Sequence, residues 1–448
     1  MEKIIIKNFG PIKDIELEIK DINVFIGSTS SGKSTVAKLI AISREFELFQ
    51  TSSLKSFVDK VRHYNIDFDI TRNTYIKCYS NKYYWELKHN TLKDNFPFAE
   101  VSDARKIALD AAYNEYLLMR KALENVMREQ EGMDLIKVLM ISSSILNFTE
   151  KSHEELDEKK YETFLSLIEK INEDRHQIVH SGDYNSIEFE RLFKDVGEIF
   201  KLIYGDLNRE ETVYIPAERI LLSMVAESLF GLMNNDVAIA KCIKDFGSQF
   251  ESARKKPNGF SIPFLNIEYN YYDKSNFITF NDGAKVKLEQ ASSGLQSIIP
   301  LLLVLEVNTK SEGIIKNCFV IEEPELNLYP TIQKELIEFI VERINKSKDK
   351  LIVTTHSPYV LTSLDNLIQA SNAAKADPEQ KEKVAEIVPE EKWVDFDRVA
   401  CYYFEDGTCR STLDTENQTI GASNIDDVSE ELGKTFDELL ELKYANVS

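Results

Sequence analysis

Cysteine is scarce in this chain and shows no pairing pattern. The five cysteines (Cys78, Cys242, Cys318, Cys401 and Cys409) include no C-x-x-C spacing, so neither a disulfide framework nor a zinc site is expected. A secretory leader is also lacking, which points to a reducing cytoplasm. No apolar run approaches the ~18 residues of a membrane span, so a soluble protein without membrane contact is expected. Positive charge is in deficit: 54 Lys and Arg face 75 Asp and Glu, for a net charge of −21. That balance disfavours generic attraction to nucleic acid or anionic lipid. It leaves only local basic stretches, Arg254-Lys255-Lys256 and Arg72 to Lys93, each read more simply as a solvated face. Internal repeats are missing. What remains is 448 residues with 43% hydrophobic content, ample for two or three folded domains.

The informative content is a set of short segments in fixed order. GSTSSGKS (Gly27 to Ser34) fits G-x-x-x-x-G-K-[ST], a phosphate-binding loop. Glycines let successive N–H groups turn inward on phosphate oxygens. Gly27, Ser31, Gly32, Lys33, Ser34 and Thr35 form the expected nucleotide contacts, with Lys33 reaching the terminal phosphates and Ser34 ligating Mg²⁺. The flanks agree: INVFI (Ile22 to Ile26) reads as a buried strand and TVAKLIAI (Thr35 to Ile42) as a helix, which sets the phosphates on a helix N-terminus.

IEEPE (Ile321 to Glu325) ends a second buried strand, CFVI, in paired carboxylates. Phosphoryl transfer needs charge neutralisation and in-line positioning more than covalent chemistry. Glu322 is therefore expected at the metal and Glu323 at the attacking water. KLIVT (Lys350 to Thr354) is a third buried strand, followed by Thr355-His356-Ser357. His356 thus falls at a strand C-terminus, where open α/β sheets gather ligands, and is expected to contact the terminal phosphate. ASSGLQ (Ala291 to Gln296) is a weaker signal, significant for the long apolar helix after it. Ser293 and Gly294 are expected to open that helix; the place resembles the signature sequence of ABC-type ATPases, and that resemblance implies a helix N-terminus facing a γ-phosphate held by a neighbouring subunit.

With these segments in place, the chain resembles the prokaryotic AAA-type ATPases of the OLD-like branch, relatives of the SMC and RecF heads. MEKIIIKNFGPIKDIELEI, GSTSSGKST, VYIPAER, SSGLQSIIPLLLVLE, IEEPELNLYP and TTHSPYVL carry the resemblance, over most of residues 1–90 and 205–365. It implies an α/β fold, an ABC-type P-loop ATPase head with an inserted all-α domain, using ATP and Mg²⁺ and closing as a homodimer or higher oligomer through its heads. It also implies a role in bacterial anti-phage defence. OLD nucleases carry a further Toprim domain, whereas fewer than about a hundred residues follow the TTHS segment here, short for such a domain. Asp395 and Asp397 imitate a metal pair but are read as strand-edge residues. The resemblance puts Arg219 near the nucleotide or the intersubunit surface, with a structural ion pair as the open alternative. Asn327 and Tyr329 fall where the ABC loop crosses to a partner.

The expected organisation is a head's N-terminal part over 1–95, a helical insertion over 100–208, the head's C-terminal part over 209–368, and a charged linker, hairpin and helix over 369–448. Within the insertion glycine and proline nearly vanish and apolar residues recur at helical spacing (Ile107, Ala111, Leu117, Leu118). There Arg175 and His180 form R-x-x-x-x-H, with His176 and Tyr184 nearby, and resemble the HEPN ribonucleases. A histidine can move the proton of a 2′-hydroxyl, and an arginine can stabilise a phosphorane. Residues five apart on a helix miss a common face by about 140°, so the pair needs a helix end, a kink or a second subunit's copy. Three readings stay open: a working ribonuclease acting on RNA, a HEPN-like fold without activity, and an unrelated helical arm. The second function hypothesis is a sensor or scaffold ATPase whose insertion binds a separate partner effector protein. Trp85, Trp393 and Tyr269 to Tyr272 read as core and sheet-face residues.

Overall fold

The computed structural model describes residues 2–44, 54–80, 83–94, 165–167, 169–170, 173, 210–225, 239–256, 259–309, 316–421, 433–440 and 443. The chain divides into two units, one of Met1–Asp94, Glu210–Lys310 and Lys316–Ser448, the other of Asn95–Arg209 and Ser311–Ile315. Nearly all of the second unit, including Arg175 and His180 of the expected helical insertion, lies outside the described residues.

In the first unit, β1 (Glu2–Phe9) and β2 (Ile12–Ile19) form a hairpin. Alternation in IKDIELEI buries Ile12, Ile15, Leu17 and Ile19 on one face, as a period of two requires. Next come β3 (Ile22–Gly27), α1 (Lys33–Arg44) and α2 (Leu54–His63). β4 (Tyr75–Ser80), β5 (Tyr83–Lys88) and β6 (Thr91–Asp94) then complete an antiparallel sheet in the order β2-β1-β4-β5-β6. Trp85 is buried in it, as the sequence suggests.

The chain resumes with β7 (Glu210–Ile215), α3 (Ile220–Val225) and α4 (Lys241–Ala253). A second antiparallel sheet follows, built from β8 (Phe260–Ile262), β9 (Ile267–Tyr272), β10 (Ser275–Phe280) and β11 (Lys285–Lys287). Pro263–Leu265 and Leu288–Gln290 are single 3₁₀ turns, the first because proline brings no N–H to a ladder. Arg254 of the basic stretch packs its guanidinium over the Tyr271 ring at 4.7 Å.

The remaining elements are α5 (Ser293–Thr309), β12 (Lys316–Glu322), α6 (Pro330–Ser347), β13 (Lys350–Thr355), α7 (Pro358–Ala376), α8 (Lys381–Ile387), β14 (Val399–Glu405), β15 (Thr408–Ser411), and the short pair β16 (Leu413–Asp414) and β17 (Thr419–Ile420). The central sheet runs β15-β14-β3-β13-β12-β7, parallel throughout except for β15. Its inner strands are unbroken apolar runs because helices cover both faces; every residue from Asn317 to Glu322 is buried. The strand order sets the C-terminal ends of β3, β13 and β12 side by side, so Gly27, Thr355 and Glu322 line one edge of the sheet.

One element departs from the expected organisation. The hairpin about Asp406-Gly407 forms, yet β14 also pairs parallel with β3, from Val399 opposite Ile22 to Phe404 opposite Gly27. A segment set apart by sequence as linker and hairpin thus supplies the strand next to the phosphate loop. Just before β14, Asp395 accepts the Asp397 N–H and pairs with Lys375, closing a turn. Of the acidic tail, residues 433–440 are helical. Among the described residues no helix is long and apolar enough to cross a membrane.

Candidate active site

The loop after β3 owes its shape to two glycines and one strained serine. Gly27 has φ 147°, Ser30 φ 62° and Gly32 φ 104°. A Cβ on Gly27 would fall 2.0 Å from the Phe404 carbonyl oxygen, so glycine is demanded here by the neighbouring strand β14 as well as by the turn. Lys33 opens α1 and is only 4% exposed. Its Nζ donates to the carbonyls of Gly27 (2.9 Å) and Ser28 (2.7 Å) and to Ser31 Oγ (3.4 Å). Ser31 Oγ in turn donates to the Ser28 carbonyl at 2.7 Å. Burial lowers the Lys33 pKa to about 8, against the opposing charges of Glu323 and Glu325. Here the ammonium caps its own loop and must exchange those carbonyls for any phosphate it binds. Ser34 is half-buried on the first helical turn and Thr35 is buried behind it.

Glu322 ends β12 almost fully buried, at 3% exposure. Burial raises its pKa, and the Lys38 ammonium, 4.0 Å from Oε1, opposes the rise. The Tyr214 hydroxyl is a further polar neighbour, but neither that hydroxyl nor Glu322 Oε1 has a hydrogen bond of regular geometry. Lys38 and Ser34 lie four residues apart on α1 and so share the face turned to this carboxylate. A buried carboxylate oxygen without a donor, facing a helix that carries a serine hydroxyl, fits the all-oxygen preference of Mg²⁺.

Glu323 adopts the left-handed region, φ 43°, and its N–H donates to the Thr354 carbonyl of β13 at 2.8 Å. That turn brings Glu323 Oε1 to 3.2 Å from His356 Nε2. The main chain of His356 is fixed from the same segment: Glu325 Oε1 accepts from Thr355 Oγ1 (2.6 Å) and from the His356 N–H (2.9 Å). Ser357 Oγ donates to Gln333 Oε1 at 2.6 Å, and Gln333 Nε2 donates to the Leu328 carbonyl at 2.9 Å. Lys33, Glu322, Glu323 and His356 therefore gather at adjoining strand ends. Glu325 and Gln333 hold that arrangement and were missed from sequence; a third carboxylate in IEEPE was the signal available for Glu325.

Ser293 opens α5 and is exposed, with Ser292 Oγ accepting the Leu295 N–H at 3.4 Å. A Cβ on Gly294 would meet the Asn327 carbonyl oxygen at 2.8 Å, so this helix start packs on the loop that follows IEEPE. In that loop Asn327 has φ 62°, and Tyr329, just before α6, is 75% exposed.

Arg219 lies behind the carboxylate pair, against the main chain of Glu322 and Glu323. It is fully buried, neither on a surface nor held by an ion pair at hydrogen-bond distance. Its guanidinium donates to five carbonyls: Ser297 (3.1 Å), Pro216 (3.1 Å), Glu322 (2.8 Å), Glu323 (2.7 Å) and Pro324 (3.1 Å). Burial lowers its pKa to about 10, while Glu325, Glu323, Glu322 and Glu218 oppose that fall, so it stays charged at neutral pH.

A family profile described as "AAA ATPase domain" matches residues 1–75 and 43–361. Among curated proteins none matches. The chain is similar to the solved Smc head domain with an extended coiled coil, bound to the C-terminal domain of ScpA, from Pyrococcus furiosus: 13% identity and a TM-score of 0.35, covering 93% of this chain and 98% of that one. It is also similar to the Smc head domain with a coiled coil and joint from Pyrococcus yayanosii, at 11% identity and a TM-score of 0.36, covering 96% and 100%. A third similar structure is the recombination mediator protein RecF-ATPrS, at 12% identity and a TM-score of 0.28, covering 91% and 97%.

Proposed function

The chain belongs to the AAA ATPase domain family, and on that premise we propose that it hydrolyses ATP between two copies of its head. The observation that carries the hydrolytic reading is the convergence of Lys33, Glu322, Glu323 and His356 at the C-terminal edge of one parallel sheet. Lys33 gives up the Gly27 and Ser28 carbonyls and binds the terminal phosphates, with the Gly32 to Thr35 main chain cradling them. Ser34 and Glu322 hold Mg²⁺, which neutralises phosphate charge. Glu323 orients the attacking water. His356 contacts the γ-phosphate through the nitrogen that otherwise meets Glu323.

Exposed Ser293 and half-buried Gly294, on the N-terminus of a 17-residue helix, suit the γ-phosphate of a second copy. Exposed Tyr329 and the Asn327 loop beside Gly294 support the same face as the contact. In this reading the chain works in the cytoplasm in anti-phage defence, and head closure gates a ribonuclease carried by the insertion, with Arg175 as phosphorane cation and His180 as proton carrier. Support for the insertion's role is the R-x-x-x-x-H pattern. The net charge of −21 favours the second reading, a scaffold ATPase that controls a partner effector protein and takes no RNA. Assaying RNA cleavage by the full chain with ATP, and by His180→Ala, separates the two. Cleavage lost in the variant with ATPase spared supports the ribonuclease. No cleavage in any nucleotide state supports the scaffold.

A further inference from the structure

Proline sits inside the apolar helix α5, at Pro300. Proline has no N–H, so the carbonyl four residues earlier, that of Gln296, is denied its helical hydrogen bond. In a buried helix such a carbonyl needs another donor. Ser223, 1% exposed on α3, supplies it: Oγ donates to the Gln296 carbonyl at 2.7 Å. One residue on, the Ser297 carbonyl takes the Nε–H of Arg219 at 3.1 Å. The same guanidinium holds the carbonyls of Glu322, Glu323 and Pro324. A short segment, Arg219 to Ser223, thus grips the first turns of α5 with two side chains and the end of β12 with one.

We propose that Arg219 is a positioning residue for ATP hydrolysis. With Ser223 docked at the site Pro300 opens, it transmits movement of the Ser293–Gly294 end of α5 to the main chain of Glu322 and Glu323. The planar fork suits this task because its N–H groups keep fixed angles to one another, so displaced acceptors on one side drag those on the other. Glu323 is the sensitive end. Its φ of 43° is a conformation non-glycine residues hold only when neighbours over-determine it, and three bonds do so here: Arg219 and the Leu326 N–H to its carbonyl, and its own N–H to Thr354. The carboxylate at the water thus depends on where α5 begins. This rests on Glu323 being the water-orienting group.

The test is steady-state ATPase kinetics, nucleotide binding and thermal unfolding on full-length variants. Arg219→Met should lower kcat at least tenfold with KM within about twofold, and Arg219→Lys should recover part of the loss. Unchanged kcat in Arg219→Met overturns the proposal. Should that variant not fold, Ser223→Ala and Ser223→Ala/Pro300→Ala decide. The first removes the donor to Gln296 and should lower both melting temperature and kcat. The second restores a helical N–H to that carbonyl, so melting temperature should recover while kcat stays low. If kcat returns together with melting temperature, the contact is only structural and the proposal fails. Glu323→Gln serves as the control: full turnover in that variant overturns the hydrolytic reading itself, whatever the bridge variants do.

Discussion

His356 Nε2 lies 3.2 Å from Glu323 Oε1, joining the residue after β13 to the residue after β12. One ring nitrogen cannot serve a carboxylate and a phosphate at once. Arrival of a γ-phosphate would draw the imidazole away and leave Glu323 free for water. Glu323→Gln should therefore lower kcat by about 10²–10³-fold and His356→Ala by about 10²-fold, the range typical of a lost proton-handling group. ATP affinity should change little in either, measured by titration with a fluorescent analogue.

Lys33 Nζ donates to two carbonyls of its own loop, those of Gly27 and Ser28. Lys33→Ala should weaken ATP binding by at least ~30-fold, about 2 kcal/mol, the scale of a lost charge-assisted hydrogen bond. The free lysine, with its pKa lowered to about 8, binds phosphate in its charged form. Affinity should be flat below pH 8 and fall roughly tenfold per unit above it. A titration series from pH 6.5 to 9.5, in steps of about half a unit, reads this directly.

The phosphate loop and its three strands were legible in the sequence because each is local: an apolar run, then residues whose chemistry admits few other uses. The partner of β3 on its other side was not. VACYYFE is an apolar run that names no partner, and its parallel pairing with INVFIG joins distant parts of the chain through backbone bonds that leave no local signature. The unbroken apolar run from Val399 to Phe404 was the hint, and Val399, Ala400, Cys401 and Phe404 are buried. For Arg219 the place was legible from the resemblance and the bonding was not, for a related reason. A charged residue in PAER suggests a charged partner, and its acceptors are carbonyls, which every residue carries. Pro300 did mark an unfilled carbonyl, although nothing in its own segment says that Ser223 fills it.

Gly27 follows from that hidden pairing. Gly27→Ala places a methyl 2.0 Å from the Phe404 carbonyl at a φ of 147°. Either β14 or the loop must shift, at a cost of about 4 kcal/mol or more, in the range of the most disruptive substitutions. Chemical denaturation should show that loss, together with lost ATP binding. Unaltered stability would mean that β14 does not lie against the loop.

Glu2 ties β1 to α1 and to the start of β13, with Arg44 at 2.6 Å and Lys350 at 2.6 Å. Burial alone would raise its carboxyl pKa, but the two cations outweigh burial and hold it below its ordinary 4.5. A carboxylate with a lowered folded-state pKa contributes stability fully above its unfolded value and loses it as pH falls through the folded one. Glu2→Gln should therefore cost roughly 2 kcal/mol at pH 7, between surface and fully buried pairs, and progressively less below pH 4.5. Urea unfolding of both proteins at neutral and acidic pH checks the closing gap.

The shared nucleotide is tested most directly by mixing two inactive chains, Lys33→Ala and Ser293→Arg. In a mixed dimer, one site combines the intact phosphate loop of the serine variant with the intact Ser293 segment of the lysine variant. ATPase activity of the mixture should rise well above the sum of the separate proteins. Activity that stays at that sum, with both variants folded and able to pair, would contradict a site built from two copies.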